Sequence, residues 1–504
     1  MNETFEFTAE LKKKLFIMMG IGLLGLVFVF FFYPQNSHAR LWCNLLANTY
    51  YFTGISIFGM FAVAAPQLAY GGWNVLTKRI FLSLSYFSRF SGFALVLIVL
   101  LGILNVHTLY DHVKDILKET PVAENHTTKV IFFAPVFWIS RLLAYAFLWL
   151  LFSWGMDKFF ARTDQTDPKV YKQSKLLAAA FIVTFALTES AASWDYIMSL
   201  DTHWYSTLFG WYNFASYGCA AWAMTILLVI YLKSKGYMTR FNENHVHDLG
   251  KLLFGFSIFW TYLWFDQFML QWFANIPEET SFWVKRFGEG YFKFTIFGAL
   301  LINFFFPLFF LIKRGAKRNF KMIGFGAALL IFGHYVDFFN FVFIEPNWNH
   351  SLEHHHGAKS HEEAKLNSGE VVLYAQNAEH EKGGVSSDAS ASEAAHVDAT
   401  TEVVKEESAA TAGEDHDKNA HGASKGEHEH ELGEPHNGGH EATVHGHEAP
   451  EKNFASINIG EILVFIGFLG AFLYAFFHNL AKRPIIMEND PYLKEAEKLV
   501  VTYS

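Results

Sequence analysis

The chain has 504 residues, of which 52% are hydrophobic, 18% are aromatic and only 17% are charged. Soluble enzymes of this length usually carry more charge and fewer aromatic side chains. The composition therefore excludes a soluble globular protein and a nucleic-acid-binding protein, and it favours a protein that crosses a membrane several times.

The net charge of −9 averages two unlike parts of the chain. Between His350 and Lys452 there are 22 acidic residues, 7 Lys and 15 of the 24 His, so this segment carries about −15. The rest of the chain is then slightly basic, at about +6, and rich in Phe.

Ten continuous apolar segments are long enough to be transmembrane helices, for which about 20 residues suffice. Continuous rather than alternating hydrophobicity favours helices over the strands of a membrane barrel. The first segment follows three lysines, as in a signal peptide, but it is longer than a signal core, and we expect it to be retained. The segments are approximately 15–33, 41–66, 82–106, 130–154, 174–193, 207–232, 250–274, 291–312, 322–344 and 457–477.

Lys and Arg are concentrated in alternate loops, and loops rich in these residues remain in the cytoplasm. Both termini are therefore predicted to be cytoplasmic, as an even number of spans requires, and the His-rich segment is predicted to face outward. The positive charges of the cytoplasmic loops are Lys12, Lys13, Lys14, Lys78, Arg79, Lys158, Arg162, Lys169, Lys172, Lys233, Lys235, Arg240, Lys313, Arg314, Lys317 and Arg318.

The His-rich segment contains almost no aromatic residues and cannot bury enough apolar surface to fold by itself. We predict a disordered acidic loop over 346–455. Two alternatives remain open. Clusters such as His354-His355-His356 could bind Zn²⁺ or Cu²⁺ weakly, and the histidines could form a pH-responsive contact surface.

The two cysteines, Cys43 and Cys219, lie far apart in apolar stretches, and the chain has no CxxC or CxxCH pattern. We therefore expect that this chain binds neither an iron–sulfur cluster nor a c-type haem by itself. We predict no metal site.

Charged side chains are costly inside a bilayer, so each of them is a candidate functional residue. Asp266 in the seventh segment and His334 and Asp337 on one face of the ninth could carry protons, with Arg141 and Glu189 as supporting charges. A structural interpretation is also open, in which Arg141 forms an ion pair with a carboxylate and Glu189 is solvated near the interface.

Two loops that are predicted to face outward mix aromatic and acidic residues with a histidine. They could form an aromatic belt at the membrane surface. They could instead form a docking surface for a periplasmic partner or one side of a quinol site, where donors and acceptors stand beside apolar walls. The candidate residues are Trp194, Asp195, Asp201, His203, Glu278 and Glu279.

Four residues of the seventh segment, Trp260, Trp264, Gln267 and Gln271, make a stripe at helical spacing. This spacing places them on one face of a helix. We interpret the stripe as a helix-packing face rather than as a cofactor site.

Three stretches in the order SWDYIMSLDTHWYST at 193–207, DLGKLLF at 248–254 and ANIPEET at 274–280 resemble a known family. They are similar to the F subunit of alternative complex III, a bacterial quinol:electron-acceptor oxidoreductase, and to the NrfD-like membrane proteins. The likeness covers roughly 41–345 and the last span, and the His-rich insertion departs from it.

The resemblance implies an all-α integral membrane protein with ten transmembrane helices. Spans two to five and six to nine would form two four-helix bundles, and spans one and ten would be peripheral. The chain would then divide into 1–40, 41–206, 207–345, 346–455 and 456–504.

The resemblance also implies a cofactor-free subunit in a bacterial inner membrane. Its partners would be a sister NrfD-like subunit, an iron–sulfur subunit and multihaem cytochrome c subunits, which hold the clusters and the haem c. In this family the sister subunit is regarded as the quinol site, and the F subunit as a scaffold and a suspected part of a proton path.

Two other functions remain open. One is a quinol-binding NrfD-like subunit of another oxidoreductase. The other is a metal or solute transporter that collects its substrate through the His-rich loop.

Overall fold

The computed structural model describes residues 3–32, 37–118, 127–160, 167–201, 204–287, 292–367, 457–488 and 490–498. From 345 to 367 it describes the backbone but not the side chains. Within these residues the regular structure is helical, apart from one isolated bridge between Thr4 and Pro484. The prediction of an all-α membrane protein is confirmed at this level.

The elements follow one another along the chain as helices joined by short turns. The helices are α1 (Ala9–Phe32), α2 (Ser37–Leu68), α3 (Val75–Leu84), α4 (Ser88–Ile103), α5 (Asp111–Lys118), α6 (Thr127–Phe132), α7 (Pro135–Phe160), α8 (Pro168–Tyr196), α9 (Leu208–Ser234), α10 (Glu243–Ala274), α11 (Pro277–Phe287), α12 (Phe292–Leu300), α13 (Phe306–Phe310), α14 (Arg314–Arg318), α15 (Phe320–Asn367), α16 (Ile459–Leu480) and α17 (Leu493–Glu497). A 3₁₀ turn, Ser85–Phe87, joins α3 to α4, and a π-helical turn, Leu301–Phe305, joins α12 to α13.

Eight helical stretches of the described residues are long and apolar enough to cross a membrane. Every one of the ten predicted segments coincides with a helix. Two of the ten predicted segments are not among these eight stretches. One is α10, which carries more polar residues, and the other is the shorter apolar stretch Phe294–Phe310. The protein is therefore a multi-pass helical membrane protein, and the count of ten stays a prediction.

Helix ends follow local sequence signals. Asp167 caps α8 by accepting a hydrogen bond from a backbone N–H, and Pro168 occupies the first position of the helix, where its missing N–H costs nothing. Asn242 and His245 form a reciprocal capping box at the start of α10. Asn275 ends α10 with a φ of 49°, in the left-handed region that Asn tolerates at helix ends.

The long helices pack in two groups. In the first helix group, α2 packs against α4 and α8, and α7 packs against the same two helices. In the second helix group, α9 packs against α10, and α15 is joined to both of them and to α12 by side-chain hydrogen bonds. Contacts of α9 with α2 and α8 join the two groups.

Helices α1 and α16 pack against each other along a seam of glycines. A Cβ added at Gly22 would lie 2.4 Å from the Cα of Gly467, and one added at Gly25 would lie 2.7 Å from the Cβ of Leu463. Small residues allow this close approach, which is a common way to join helices in a membrane. Helix α16 also contacts α2 and α3, so that this pair is attached to the first helix group.

Both ends of the described chain lie on the same side of the helices. Thr4 pairs with Pro484, and the ring nitrogen Nε2 of His245, at the start of α10, lies 2.8 Å from the carbonyl oxygen of Ala496. We call this the terminal side. The other end of α10 leads to α11, which therefore lies on the opposite side.

Contacts divide the chain into one unit of Met1–His356 with Glu451–Ser504 and a second unit of Gly357–Pro450. The helices described above belong to the first unit, except that α15 extends into the second unit as far as Asn367. Of the predicted loop 346–455, residues 346–367 are the end of α15 rather than a loop, and the remainder lies outside the described residues.

Candidate functional site

Asp337 is the centre of a hydrogen-bonded network inside the second helix group. Its Oδ1 accepts a hydrogen bond from the Tyr212 hydroxyl at 2.6 Å. Its Oδ2 accepts from the Ser216 hydroxyl and from the Trp260 indole N–H, each at 3.0 Å. The side chain is buried, and no Lys or Arg of the described residues forms an ion pair with it. The carboxyl is thus held by three neutral donors.

His334 belongs to the same network through a shared hydroxyl. The Oγ of Ser216 lies 3.0 Å from Nδ1 of His334 and 3.0 Å from Oδ2 of Asp337. A hydroxyl can donate one hydrogen and accept others, so Ser216 can connect the two titratable groups. Nε2 of His334 is buried without a hydrogen-bond partner among the described residues. The geometry is that of a short relay from carboxyl to hydroxyl to imidazole.

Helical spacing brings these side chains together. His334 and Asp337 are three residues apart on α15, and Tyr212 and Ser216 are four apart on α9, so each pair lies on one face of its helix. Asp337 lies about 25 Å from the start of α15 and about 10 Å from Ile344, at 1.5 Å per residue. The network therefore lies inside the membrane helices, nearer the opposite side.

A narrow cavity of about 20 Å³ lies beside Asp337. Its walls include Trp264, Gln267 and Arg286, together with Asn340 from α15. The volume suffices for a water molecule, which needs roughly 10–15 Å³ and two or more polar partners. Residues of α11, on the opposite side, complete its wall.

The stripe on α10 is part of this site rather than only a packing face. Trp260 donates to Asp337, while Trp264 and Gln267 line the cavity. Nε2 of Gln267 is buried and has no hydrogen-bond partner among the described residues. Gln271 accepts a hydrogen bond from the Trp283 indole at 2.6 Å. The helical spacing correctly indicated a shared packing face, which is largely buried, and the structure adds that this face also contributes polar groups to the Asp337 site.

A second buried carboxylate, Asp195, is paired with Arg141. Two guanidinium nitrogens of Arg141 donate to Asp195, at 2.6 and 3.2 Å, and the Tyr145 hydroxyl donates at 3.0 Å. A third nitrogen of Arg141 donates to the Phe132 carbonyl at 2.8 Å. The structural interpretation of Arg141 as an ion-paired residue is the one the geometry supports.

This pair corrects the placement of Asp195 on an outward surface. The side chain is fully buried, because it ends α8 against Arg141 of α7. Asp201 is also buried and Trp194 is half-buried against the core. Glu279 is half-buried on α11. His203 lies outside the described residues, as does the side chain of Glu278.

Glu189 is buried rather than solvated at the interface, which corrects the expectation for this residue. It lies on α8 facing α9. The Ser190 hydroxyl is 3.4 Å from its Oε2, and Oε1 has no hydrogen-bond partner among the described residues. Tyr217 of α9 interacts with it electrostatically. Glu189 is therefore a second buried acid, separate from the Asp337 network.

Asp266 does not join either cluster. Its side chain is half-buried on α10, and no hydrogen bond or ion pair connects it to another described residue. The neighbouring Gln267 faces the cavity instead. Asp266 lies within helix α10, in the predicted seventh segment, but the structure does not bring it to His334 and Asp337.

One buried ion pair could not be anticipated from local sequence. Glu461 at the start of α16 is fully buried, and its Oε1 accepts from Nε of Arg40 at 2.7 Å. The two residues are 421 positions apart, so only the packing of α16 on α2 brings them together. The same Glu461 also accepts from the Asn458 N–H as part of a capping box, which is the one local signal the sequence contains.

No protein-family model matches the chain, and no curated protein does. In the described residues no group of three or more His, Cys, Asp or Glu side chains is arranged to hold a metal ion. The side chains of His354, His355 and His356 and all residues from 368 to 456 lie outside the described part of the chain. The resemblance to alternative complex III therefore remains a prediction.

Proposed function

We propose that this protein is a membrane subunit of a quinol-oxidising respiratory complex of the alternative complex III type, in which it serves as scaffold and as part of a proton path. The observation that carries the proposal is Asp337, buried within membrane helices without an ion-pair partner and connected through Ser216 to His334. A carboxyl held by neutral donors can gain or lose a proton without breaking an ion pair. Such groups inside membrane helices commonly form proton relays.

Ten spans in two four-helix bundles are consistent with the way in which the helices are connected. Helix α10 starts on the terminal side, α11 lies on the opposite side, and Lys233 on the terminal side lies 5.7 Å from the ring of Phe320 at the start of α15. The chain therefore crosses the helix layer twice between Glu243 and Phe320. Helix α10 is about 48 Å long, which is enough for one crossing. The segment 292–310 is about 28 Å long, which is enough for the other crossing.

The orientation proposed is a cytoplasmic terminal side in a bacterial inner membrane. Among the described residues, lysines and arginines of the predicted cytoplasmic loops lie on this side, such as Lys78, which contacts Asp490, and Arg240, which contacts Glu497. The positive-inside rule then makes this side cytoplasmic. Asp337 then lies nearer the periplasmic face, and α11 on that face supplies part of the wall of the cavity beside it. This placement supports proton release to the periplasm.

The proposed partners are a sister NrfD-like subunit, an iron–sulfur subunit and multihaem cytochrome c subunits. These partners would hold the electron carriers and the haem c, and this chain would bind no redox cofactor of its own. The test is to purify the protein in mild detergent and to identify the chains that remain with it. Multihaem cytochromes support the proposal, whereas isolation as a metal-loaded single chain would favour a transporter.

Proton release per quinol oxidised tests the role of Asp337. In Asp337→Asn the rate of quinol-dependent proton release is expected to fall roughly tenfold or more, since a general acid–base group typically contributes at least that much. Asp111→Asn is the matched control, because Asp111 lies outside the spans and pairs only with Lys114 among the described residues. Unchanged stoichiometry and turnover in Asp337→Asn would refute the proton path.

A further inference from the structure

Three arginines converge on one carboxylate at the terminal side of the first helix group. Nη1 of Arg79 lies 2.8 Å from Oδ1 of Asp157, and Nη2 of Arg89 lies 3.5 Å from Oδ2. Arg483, in the chain after α16, donates to the backbone carbonyl of Asp157 at 2.6 Å. Each guanidinium is close enough to the other two for electrostatic repulsion. The three cations therefore carry more positive charge than the single Asp157 carboxylate balances.

Two lysines extend this positive charge to the protein surface. Nζ of Lys482 lies 4.7 Å from the ring centroid of Tyr86, and the guanidinium of Arg89 lies 4.6 Å from the same centroid. Nζ of Lys158 lies 4.7 Å from the ring centroid of Trp154. Both lysines are exposed. We call the following five residues the basic cluster: Arg79, Arg89, Lys158, Lys482 and Arg483.

Apolar side chains lead from the basic cluster along the outer faces of α4 and α7, two helices that pack against each other. Their spacing of three or four residues places them on one face of each helix. They extend over about 10 Å of α4 and about 16 Å of α7, at 1.5 Å per residue. Acyl chains of a lipid can lie along such a surface. These side chains, each at least 40% exposed, are Phe90, Phe93 and Leu97 of α4 and Leu143, Phe147, Leu151 and Trp154 of α7.

We propose that the basic cluster binds the phosphate of an anionic phospholipid, whose acyl chains lie along α4 and α7. Planar guanidinium groups bind phosphate oxygens through paired N–H donors. Arg483 makes one hydrogen bond among the described residues, so other N–H groups of its guanidinium can bind the phosphate. Basic pockets between membrane helices bind anionic headgroups in this way. The inference relies on the proposed function only for the orientation, which makes this leaflet the cytoplasmic one.

The charge and the apolar surroundings of the cluster favour an anionic phospholipid over other ligands. A zwitterionic headgroup brings an ammonium group, which the cluster would repel, whereas a phosphatidylglycerol headgroup carries only the negative phosphate. Inorganic phosphate would leave the exposed side chains of Phe90 and Trp154 uncovered. An acidic protein segment would have to displace lipid from α4 and α7, so a lipid that already lies there is the favoured occupant.

Native mass spectrometry of the full-length protein in mild detergent tests this site. Phosphatidylglycerol and phosphatidylethanolamine with the same acyl chains are added in separate titrations, and the apparent Kd of the first bound lipid is measured for each. Phosphatidylglycerol is expected to bind about tenfold more tightly, because each basic residue near the phosphate contributes roughly fivefold. Equal affinities, or displacement of phosphatidylglycerol by millimolar inorganic phosphate, would overturn the site.

Two charge reversals on the terminal side form a matched pair of variants. The ammonium group of Lys482 lies against Tyr86, so Lys482→Glu leaves the contacts of Asp157 in place and the protein is expected to fold. It should weaken phosphatidylglycerol binding about fivefold or more. Lys235, after α9 in the second helix group, is exposed and lies outside the basic cluster. Lys235→Glu should therefore bind phosphatidylglycerol like the parent protein, and equal binding by the two variants would overturn the site.

A partner protein at this surface would give a different result. If Lys482→Glu lost a co-purifying chain but bound phosphatidylglycerol like Lys235→Glu, the basic cluster would be a protein contact, and the lipid site would be overturned.

The lipid site and the proposed function can fail separately, because lipid binding requires neither turnover nor partner subunits. Co-purification of multihaem cytochromes without a preference for phosphatidylglycerol would overturn the lipid site and leave the proposed function standing. A clear preference in a protein that is isolated without such partners would uphold the site and overturn the assignment to the respiratory complex.

Discussion

Arg141 and Asp195 are joined by two hydrogen bonds, of 2.6 and 3.2 Å, from one guanidinium to one carboxylate. This bidentate contact fixes α7 to α8 in the first helix group. Asp337 in the second helix group accepts hydrogen bonds from three neutral donors and forms no ion pair with a Lys or Arg among the described residues. The two buried carboxylates thus have different surroundings.

Breaking the Arg141–Asp195 pair is expected to destabilise the protein strongly. Arg141→Met or Asp195→Asn should each lower the free energy of unfolding by about 3–5 kcal/mol, because each leaves the other charge buried without its partner. The double variant should lose clearly less than the sum of the two single variants. Denaturant unfolding in detergent, followed by Trp fluorescence, measures all three values. Additive losses would show that the two residues do not act as a pair.

The glycine seam between α1 and α16 gives a matched pair of single-methyl changes. Gly22→Ala should lower the melting temperature, because its Cβ would lie 2.4 Å from the Cα of Gly467 and the helices would have to separate. Gly20→Ala should have little effect or stabilise α1, since nothing lies within 4 Å of a Cβ there. Thermal unfolding of the two variants in the same detergent tests this. Equal melting temperatures would indicate that the seam is not tight in solution.

His107, in the loop after α4, is expected to make stability depend on pH. Burial lowers the pKa of His107. Nε2 lies 2.9 Å from the Ile98 carbonyl, and Nδ1 accepts from the Leu109 N–H at 3.3 Å. The neutral ring therefore satisfies both contacts, and protonation of Nδ1 would break the second.

The sign of this effect follows from the direction of the shift. A histidine whose pKa is lower in the folded state contributes fully above its unfolded pKa, near 6.5, and the contribution is lost as the pH falls toward the folded value. The difference in melting temperature between the parent protein and His107→Gln should therefore be largest above pH 7 and shrink toward pH 5. A difference that grows as the pH falls would contradict the assignment. Both proteins share the other 23 His, so the pH-dependent contributions of those residues cancel in the comparison.

Much of the fold could be predicted because it depends on local composition. Continuous apolar runs of about 20 residues have few structural options in a bilayer, since every backbone polar group must be paired within the segment. Helices accordingly coincide with all ten predicted segments. The predicted fifth segment began at 174, whereas α8 begins at Pro168 after its cap Asp167. Hydropathy identified α10 as a candidate span less clearly, because polar residues such as Gln267 and Gln271 lie within it and face the interior.

The site was predictable only in part. His334 and Asp337 could be placed together because residues three apart share a helix face. Tyr212 and Ser216 gave no signal, since hydroxyl-bearing residues are ordinary in membrane helices and their partners lie more than a hundred positions away. Asp266 was grouped with Asp337 on depth alone, yet depth does not define which way a side chain points around its helix.

The amino-acid sequence by itself determined that the chain is a helical multi-pass membrane protein, that positive charge is concentrated in alternate loops, and that a few ionisable residues lie within the spans. These properties depend on composition and on spacing within one helix. Only the tertiary structure decided which of the buried acids meets a cation and which does not. Asp195 meets Arg141 and Asp337 meets Tyr212, Ser216 and Trp260, because packing between helices, not spacing along one helix, sets the surroundings of a buried charge.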